Sequence, residues 1–62
     1  MTAFEKVLIK RDGMTEEEAR EELNYAKEEV AELVAFGDYE EVEDFLAGEY
    51  GLEMDYIFDL IY

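Results

Sequence analysis

Five apolar residues recur at helical spacing through the middle of the chain. Ala19, Leu23, Ala26, Val30 and Leu33 follow one another at intervals of four, three, four and three residues. These intervals place all five on one side of an α-helix, because the helix repeats about every 3.6 residues. An apolar stripe of this length has to be buried, so the chain is expected to fold around one long amphipathic helix.

Local signals bound this helix at about residues 16–36. Thr15 is a good N-cap residue, Glu18 completes a capping box, and three acids occupy the first turn. Gly37 is expected at the C′ position, where the backbone often becomes left-handed. This helix is the element that the sequence predicts most directly.

Shorter helices are predicted on either side, at about residues 3–11, 38–49 and 53–61. Thr2 and Glu5 have capping-box spacing, and Asp38 is positioned to cap the third helix. The residues expected to face inward are Phe4, Val7, Leu8 and Ile9 in the first helix, and Tyr39, Val42, Phe45 and Leu46 in the third. The connections are short. The predicted fold is therefore all-α, a compact bundle of about four helices in a single small acidic domain spanning residues 1–62.

The composition argues against an enzyme. The chain has no cysteine, histidine or serine, so the usual nucleophiles and the commonest general base are missing. No glycine-rich phosphate loop occurs, and placing Gly13 at the glycine of an EF-hand loop puts Leu8 where the first aspartate should be. We therefore expect no catalytic residues, no cofactor and no metal site.

The distribution of charge points to a basic partner. The net charge is −14, and residues 28–62 contain twelve acids and no base, whereas residues 1–27 hold seven acids and all five bases. Such a surface attracts cationic partners and repels nucleic acid and anionic membranes. The predicted partner-binding residues are the acids with no base among them: Glu28, Glu29, Glu32, Glu40, Glu41, Glu43 and Asp44. An ordinary solvated face in an acidic proteome is the alternative interpretation.

The C-terminal segment is apolar on nearly every helical face. One stripe of it can pack on the second and third helices, and the remainder is a candidate contact for a partner or a second copy of the chain. The residues predicted for this contact are Tyr56, Phe58, Ile61 and Tyr62. The alternative is that the segment is wedged into the core. Both a monomer and a homodimer are compatible with the sequence. No run approaches the roughly 18 apolar residues of a membrane span, and the N-terminus lacks the apolar run of a signal peptide.

Several segments resemble small acidic proteins of phages and prophages. The likeness is carried by Leu8–Ala19, Gly37–Glu43 and Tyr50–Tyr56, which are spread between residues 8 and 56 of the chain. A recurring role in that group is DNA mimicry, including some anti-CRISPR proteins. The resemblance implies an inhibitor in the cytoplasm of a bacterial host, acting on a basic nucleic-acid-binding protein such as a CRISPR effector complex.

Two other hypotheses remain beside the DNA-mimic inhibitor. The first is a structural or regulatory phage adaptor that binds through its apolar C-terminal helix, with the charge serving only solubility. The second is an idealised, engineered helical domain, against which the like-charged pairs along the helices argue.

Overall fold

The computed structural model describes residues 1–61, and within them the chain is all-α. The helices are α1 (Ala3–Asp12), α2 (Glu16–Ala35), α3 (Tyr39–Phe45) and α4 (Ile57–Ile61). A π-helical turn (Leu46–Tyr50) continues α3, and a 3₁₀ turn (Met54–Tyr56) precedes α4. The predicted small helical bundle is confirmed, with extents of 32 × 17 × 15 Å.

The predicted capping boxes begin both of the first two helices. The Thr2 hydroxyl accepts from the Glu5 amide at 3.2 Å while the Glu5 carboxylate accepts from the Thr2 amide at 3.0 Å. Thr15 and Glu18 repeat this exchange at 3.1 and 2.9 Å. Each box satisfies backbone donors that a helix N-terminus otherwise leaves without partners.

The end of α2 is a Schellman motif, and Asp38, which completes it, occupies the predicted N-cap position of α3 without the expected side-chain bond. Gly37 has the expected left-handed φ of 73°. The Gly37 amide donates to the Val34 carbonyl, and the Asp38 amide donates to the Leu33 carbonyl at 2.9 Å. Asp38 therefore closes α2, and its side chain makes no capping bond to α3.

The core lies where α2 meets the other helices. It contains Phe4 and Leu8 of α1, Ala19, Leu23, Ala26 and Val30 of α2, Val42 and Leu46 of the third helical segment, then Tyr50, Leu52 and Leu60. Val7, Ile9, Leu33 and Phe45, also predicted to face inward, are only partly buried. The inward placement of Tyr39 is wrong: its side chain is 58% exposed. Tyr39 is the first residue of α3, and its side chain lies outside the buried core.

Three long-range hydrogen bonds fix the shorter elements to the rest. The Asp59 carboxylate of α4 accepts from the Phe4 amide at 3.0 Å, near the positive end of the α1 dipole. The Arg11 guanidinium donates to the Tyr50 carbonyl. The Tyr50 hydroxyl donates to the Glu22 carboxylate at 2.7 Å. The π-helical turn is thereby attached to both α1 and α2.

Candidate protein-binding surface

One flank of α2 carries acids and no base. At about 100° per residue, six acids lie within an arc of about 120° on the side of α2 that faces α3. They are Glu18, Glu21, Glu22, Glu28, Glu29 and Glu32. Arg20 and Lys27 lie on the other side of the buried stripe, so they do not neutralise this flank.

The third helical segment runs antiparallel beside this flank and adds five more acids. The arrangement is antiparallel because the Asp38 amide, just before α3, binds the Leu33 carbonyl near the end of α2, whereas Tyr50 binds Glu22 near its beginning. The added acids are Glu40, Glu41, Glu43, Asp44 and Glu49, all of them exposed. We call the six acids of the α2 flank and these five the acidic face.

A groove of about 300 Å³ lies between α2 and the third helical segment. We call it the acidic groove; it is lined by Glu29, Leu33, Glu41, Asp44, Phe45, Gly48 and Glu49. A second recess, on the outer side of α3, is lined by Glu40, Glu43 and Asp44.

The seven predicted partner-binding acids all belong to the acidic face but do not meet at one point. Glu29, Glu41 and Asp44 line the acidic groove. Glu40 and Glu43 lie with Asp44 at the outer recess. Glu28 and Glu32 are exposed on α2 and line neither recess. The surface is thus broad and continuous along two helical segments.

Sequence reasoning missed four acids of this face. Glu18, Glu21 and Glu22 were omitted because Arg20 and Lys27 are close to them in sequence. A projection of α2 onto a helical wheel would have separated them from those bases. Glu49 was omitted because its place in the groove depends on the π-helical turn. The sequence contains no local motif that predicts such a turn.

The hydroxyls of two tyrosines near the groove, Tyr25 and Tyr50, have raised pKa values. Partial removal from water raises the pKa of the Tyr25 hydroxyl, and the carboxylates of Glu29, Glu49 and Glu22 raise the same pKa further. Burial raises the pKa of the Tyr50 hydroxyl well above its ordinary value, with the hydrogen bond to Glu22 adding to the effect. At both tyrosines the neighbouring carboxylates add to the effect of burial, because negative charge disfavours the ionised phenol.

The basic side chains lie away from the acidic face. Lys6, Lys10 and Arg11 line a groove between α1 and Tyr56. Arg11 pairs with Asp12 through two hydrogen bonds of 2.9 and 3.0 Å and also binds the Tyr50 carbonyl. Arg11 therefore serves as the counterion of Asp12.

The residues predicted for a tail contact do not form one surface. Tyr56 is half-buried and faces α1, whereas Ile61 lies against α2. Ile61 and Phe58 are 45% and 59% exposed. Ile61 contributes to a groove of about 380 Å³, which we call the apolar tail groove; its lining is Ala31, Val34, Ala35, Leu60 and Ile61. The predicted contact at Tyr62 lies outside the described residues.

Metal-binding clusters and membrane-spanning helices are both absent from residues 1–61. No three or more acids of that range are grouped so that they could hold a metal ion. No helix in the same range combines the length and apolarity needed to cross a membrane. Comparisons with protein-family models, curated proteins and solved structures give no match.

Proposed function

We propose that the protein is a non-enzymatic inhibitor that presents its acidic face to the basic nucleic-acid-binding site of a host protein. The supporting observation is the segregation of charge on α2, where six of the eight acids lie on one side of the buried stripe and the two bases lie on the other. Such segregation leaves a broad anionic surface on this flank of α2. In this role the protein acts as a DNA mimic.

The charge density of the molecule is comparable to that of nucleic acid. A net charge of −14 over a longest dimension of 32 Å corresponds to one net charge per about 2.3 Å. B-DNA has one phosphate per about 3.4 Å on each strand and one per about 1.7 Å for the duplex. A basic channel that attracts a duplex would therefore also attract this protein.

The layout of the acids also supports mimicry. Carboxylates from two antiparallel helical segments line the acidic groove, with Glu29 on one side and Glu41, Asp44 and Glu49 on the other. Helices hold these charges at fixed spacing, which solubility alone does not require.

The class of target follows from the resemblance to small acidic phage proteins. CRISPR effector complexes hold their guide–target heteroduplex in a positively charged channel. An anti-CRISPR role inside a bacterial host cell is therefore the specific form of the proposal. The arginines of such a channel favour carboxylates, because each carboxylate can accept two parallel hydrogen bonds from a guanidinium.

A capture experiment with matched charge reversals tests the proposal. The tagged protein is used to capture host proteins, with and without a double-stranded DNA competitor and at 0.1 and 0.5 M NaCl. Glu40→Lys with Glu43→Lys should abolish capture, whereas Glu53→Lys with Asp55→Lys makes the same change in net charge outside the acidic face and should retain it. DNA and salt should both release the partner. Capture that resists 0.5 M NaCl and DNA would contradict the electrostatic mechanism.

The apolar tail groove supports a second candidate, an adaptor that binds its partner through α4. Its lining is wholly apolar, and Ile61 at its edge is 45% exposed. Deleting the last residues is a poor test, because Leu60 is buried and Asp59 holds the Phe4 amide. Ile61→Gln avoids both. Loss of capture by this variant, with the acidic face intact, would favour the adaptor.

A further inference from the structure

We infer that the acidic groove receives an arginine side chain of the basic partner, with the aliphatic stem against Leu33 and Phe45 and the guanidinium among the carboxylates. This inference rests on the proposed function and names the chemical group that the acidic face recognises. It also predicts that the groove contributes more to binding than an equal number of acids elsewhere on the same face.

Apart from its acids, the groove is lined by two apolar side chains and a glycine. Leu33 projects from α2 and Phe45 from α3, and both are half-buried. Gly48 also lines the groove and leaves it open at that position, since a Cβ atom built on it would meet no atom within 4 Å. An apolar lining favours a ligand that has an apolar part, because burial of each methylene is favourable. A small inorganic cation gains nothing from Leu33 or Phe45.

The carboxylates lie on both sides of this apolar lining. Glu29 belongs to α2, while Glu41, Asp44 and Glu49 belong to α3 and the π-helical turn. A guanidinium has five donors in one plane and can bind carboxylates on two sides at once. It is also less strongly hydrated than a lysine ammonium, which eases its entry between apolar walls.

The Phe45 ring gives the groove a fixed aromatic wall. It packs edge-on against the Tyr50 ring at a centroid distance of 5.6 Å and lies 6.1 Å from the Tyr25 ring at a tilted angle. Tyr50 is itself held by the Phe4 ring and by the hydrogen bond to Glu22. An arginine in the groove can stack on this ring, and guanidinium groups are frequent partners in cation–π contacts.

Alkylguanidinium probes test the chemistry directly. Methylguanidinium and butylguanidinium carry the same charge and differ by three methylenes, each of which strengthens binding up to about fourfold when buried. Titrations followed by NMR should shift the signals of Leu33, Phe45 and Gly48 most. Butylguanidinium should bind about tenfold more tightly. Equal affinities, or shifts spread evenly over the acidic face, would overturn the inference.

Filling the groove separates this inference from the proposed function. Gly48→Leu occupies the space beside Phe45, keeps every charge and removes a glycine from a helical turn. It should abolish the preference for butylguanidinium and weaken capture of the basic host protein at least tenfold. If the variant captures that protein as well as the wild type does, the arginine groove is refuted while the DNA-mimic proposal stands.

A pair of charge-matched variants gives the same answer without adding volume. Glu41→Gln with Glu49→Gln removes two carboxylates from the acidic groove, and Glu40→Gln with Glu43→Gln removes two from outside it. The first pair should weaken butylguanidinium binding at least tenfold, and the second less than threefold. Equal losses would refute the groove even if Gly48→Leu failed to fold.

Discussion

Salt should stabilise this protein, because its own acidic face opposes folding. Four like-charged pairs lie four residues apart: Glu17–Glu21, Glu18–Glu22, Glu28–Glu32 and Glu40–Asp44. Four more lie three residues apart: Glu18–Glu21, Glu29–Glu32, Glu40–Glu43 and Glu41–Asp44. At about 0.2–0.5 kcal/mol for each pair, the repulsion totals roughly 2–4 kcal/mol at low ionic strength.

The expected change in melting temperature follows from the range of this repulsion. Raising NaCl from 0.01 to 0.5 M shortens the Debye length from about 30 Å to well below 10 Å, comparable to the roughly 5–6 Å between Cβ atoms of such pairs. Relief of about half the repulsion would contribute 1–2 kcal/mol. For a domain of this size the melting temperature should therefore rise by about 5–15 °C.

Thermal unfolding followed by circular dichroism at 222 nm measures this rise, and two single variants check its origin. Glu40→Gln removes two of the eight pairs, so it should raise the melting temperature at low salt and reduce the dependence on NaCl. Glu16→Gln loses the same charge but also a first-turn acid placed four residues before Arg20, so it should lower the melting temperature. A melting temperature that stays constant or falls with added NaCl would refute the repulsion argument.

Three further predictions concern the parts that hold the fold together. The raised pKa of Tyr50 keeps its hydroxyl protonated in the folded state above pH 10, so the free energy of unfolding should fall by up to about 1.4 kcal/mol per pH unit above that value. Urea unfolding between pH 9 and 11.5 should show a shallower fall for Tyr50→Phe than for the wild type. Equal slopes for the two proteins would contradict a raised pKa at Tyr50. The hydrogen bond from the Thr2 amide lowers the pKa of Glu5 from its ordinary 4.5, so this carboxylate stabilises the fold above that pH and loses its effect as the pH falls. The difference in melting temperature between the wild type and Glu5→Gln should therefore shrink from pH 6 to pH 3. A difference that stays constant over this range would contradict the stabilising role of the ionised Glu5. Leu46 is fully buried, and Leu46→Ala should lower the free energy of unfolding by about 2–5 kcal/mol, whereas Phe36→Ala, at a side chain 79% exposed, should change it by less than about 0.5 kcal/mol in the same urea titration.

The first two helices could be predicted closely because their signals are local. A threonine, a glutamate three residues later and a glycine at the far end specify where α1 and α2 begin and end. The predicted bounds of 3–11 and 16–36 differ from Ala3–Asp12 and Glu16–Ala35 by one residue at the C-terminal ends. Hydrogen bonds between near neighbours decide such boundaries, so tertiary context alters them little.

The second half of the chain depended on contacts that are distant in sequence. The predicted helix 38–49 is α3 followed by the π-helical turn, and the predicted helix 53–61 begins as a 3₁₀ turn. The π-helical turn places the Tyr50 ring between those of Phe4 and Phe45 and its carbonyl against Arg11. None of these contacts is visible in the local pattern. The same turn places Glu49 in the acidic groove, which is why that acid was missed.

The candidate site could be predicted by residue type but not by arrangement. The absence of bases after Lys27 drew attention to the second half of the chain, and the seven acids predicted from it do belong to the acidic face. That absence of bases is read along the sequence, however, whereas α2 separates its acids from its bases around the helix axis. Arg20 and Lys27 therefore leave the acids of the first half of α2 as available as those of the second half.

The repulsion within the acidic face also predicts how a true partner will be recognised. A cationic surface binds the folded protein and at the same time neutralises charges that oppose folding, so binding and folding are linked. A partner present at 100 times its dissociation constant should contribute about 2.7 kcal/mol to stability and raise the melting temperature by about 10–20 °C at low salt. Glu40→Lys with Glu43→Lys should abolish this rise, and Glu53→Lys with Asp55→Lys should keep it. A host protein that is captured but leaves the melting temperature unchanged does not bind the folded acidic face, so the thermal shift distinguishes the target of a DNA mimic from a protein that only adheres to an acidic chain.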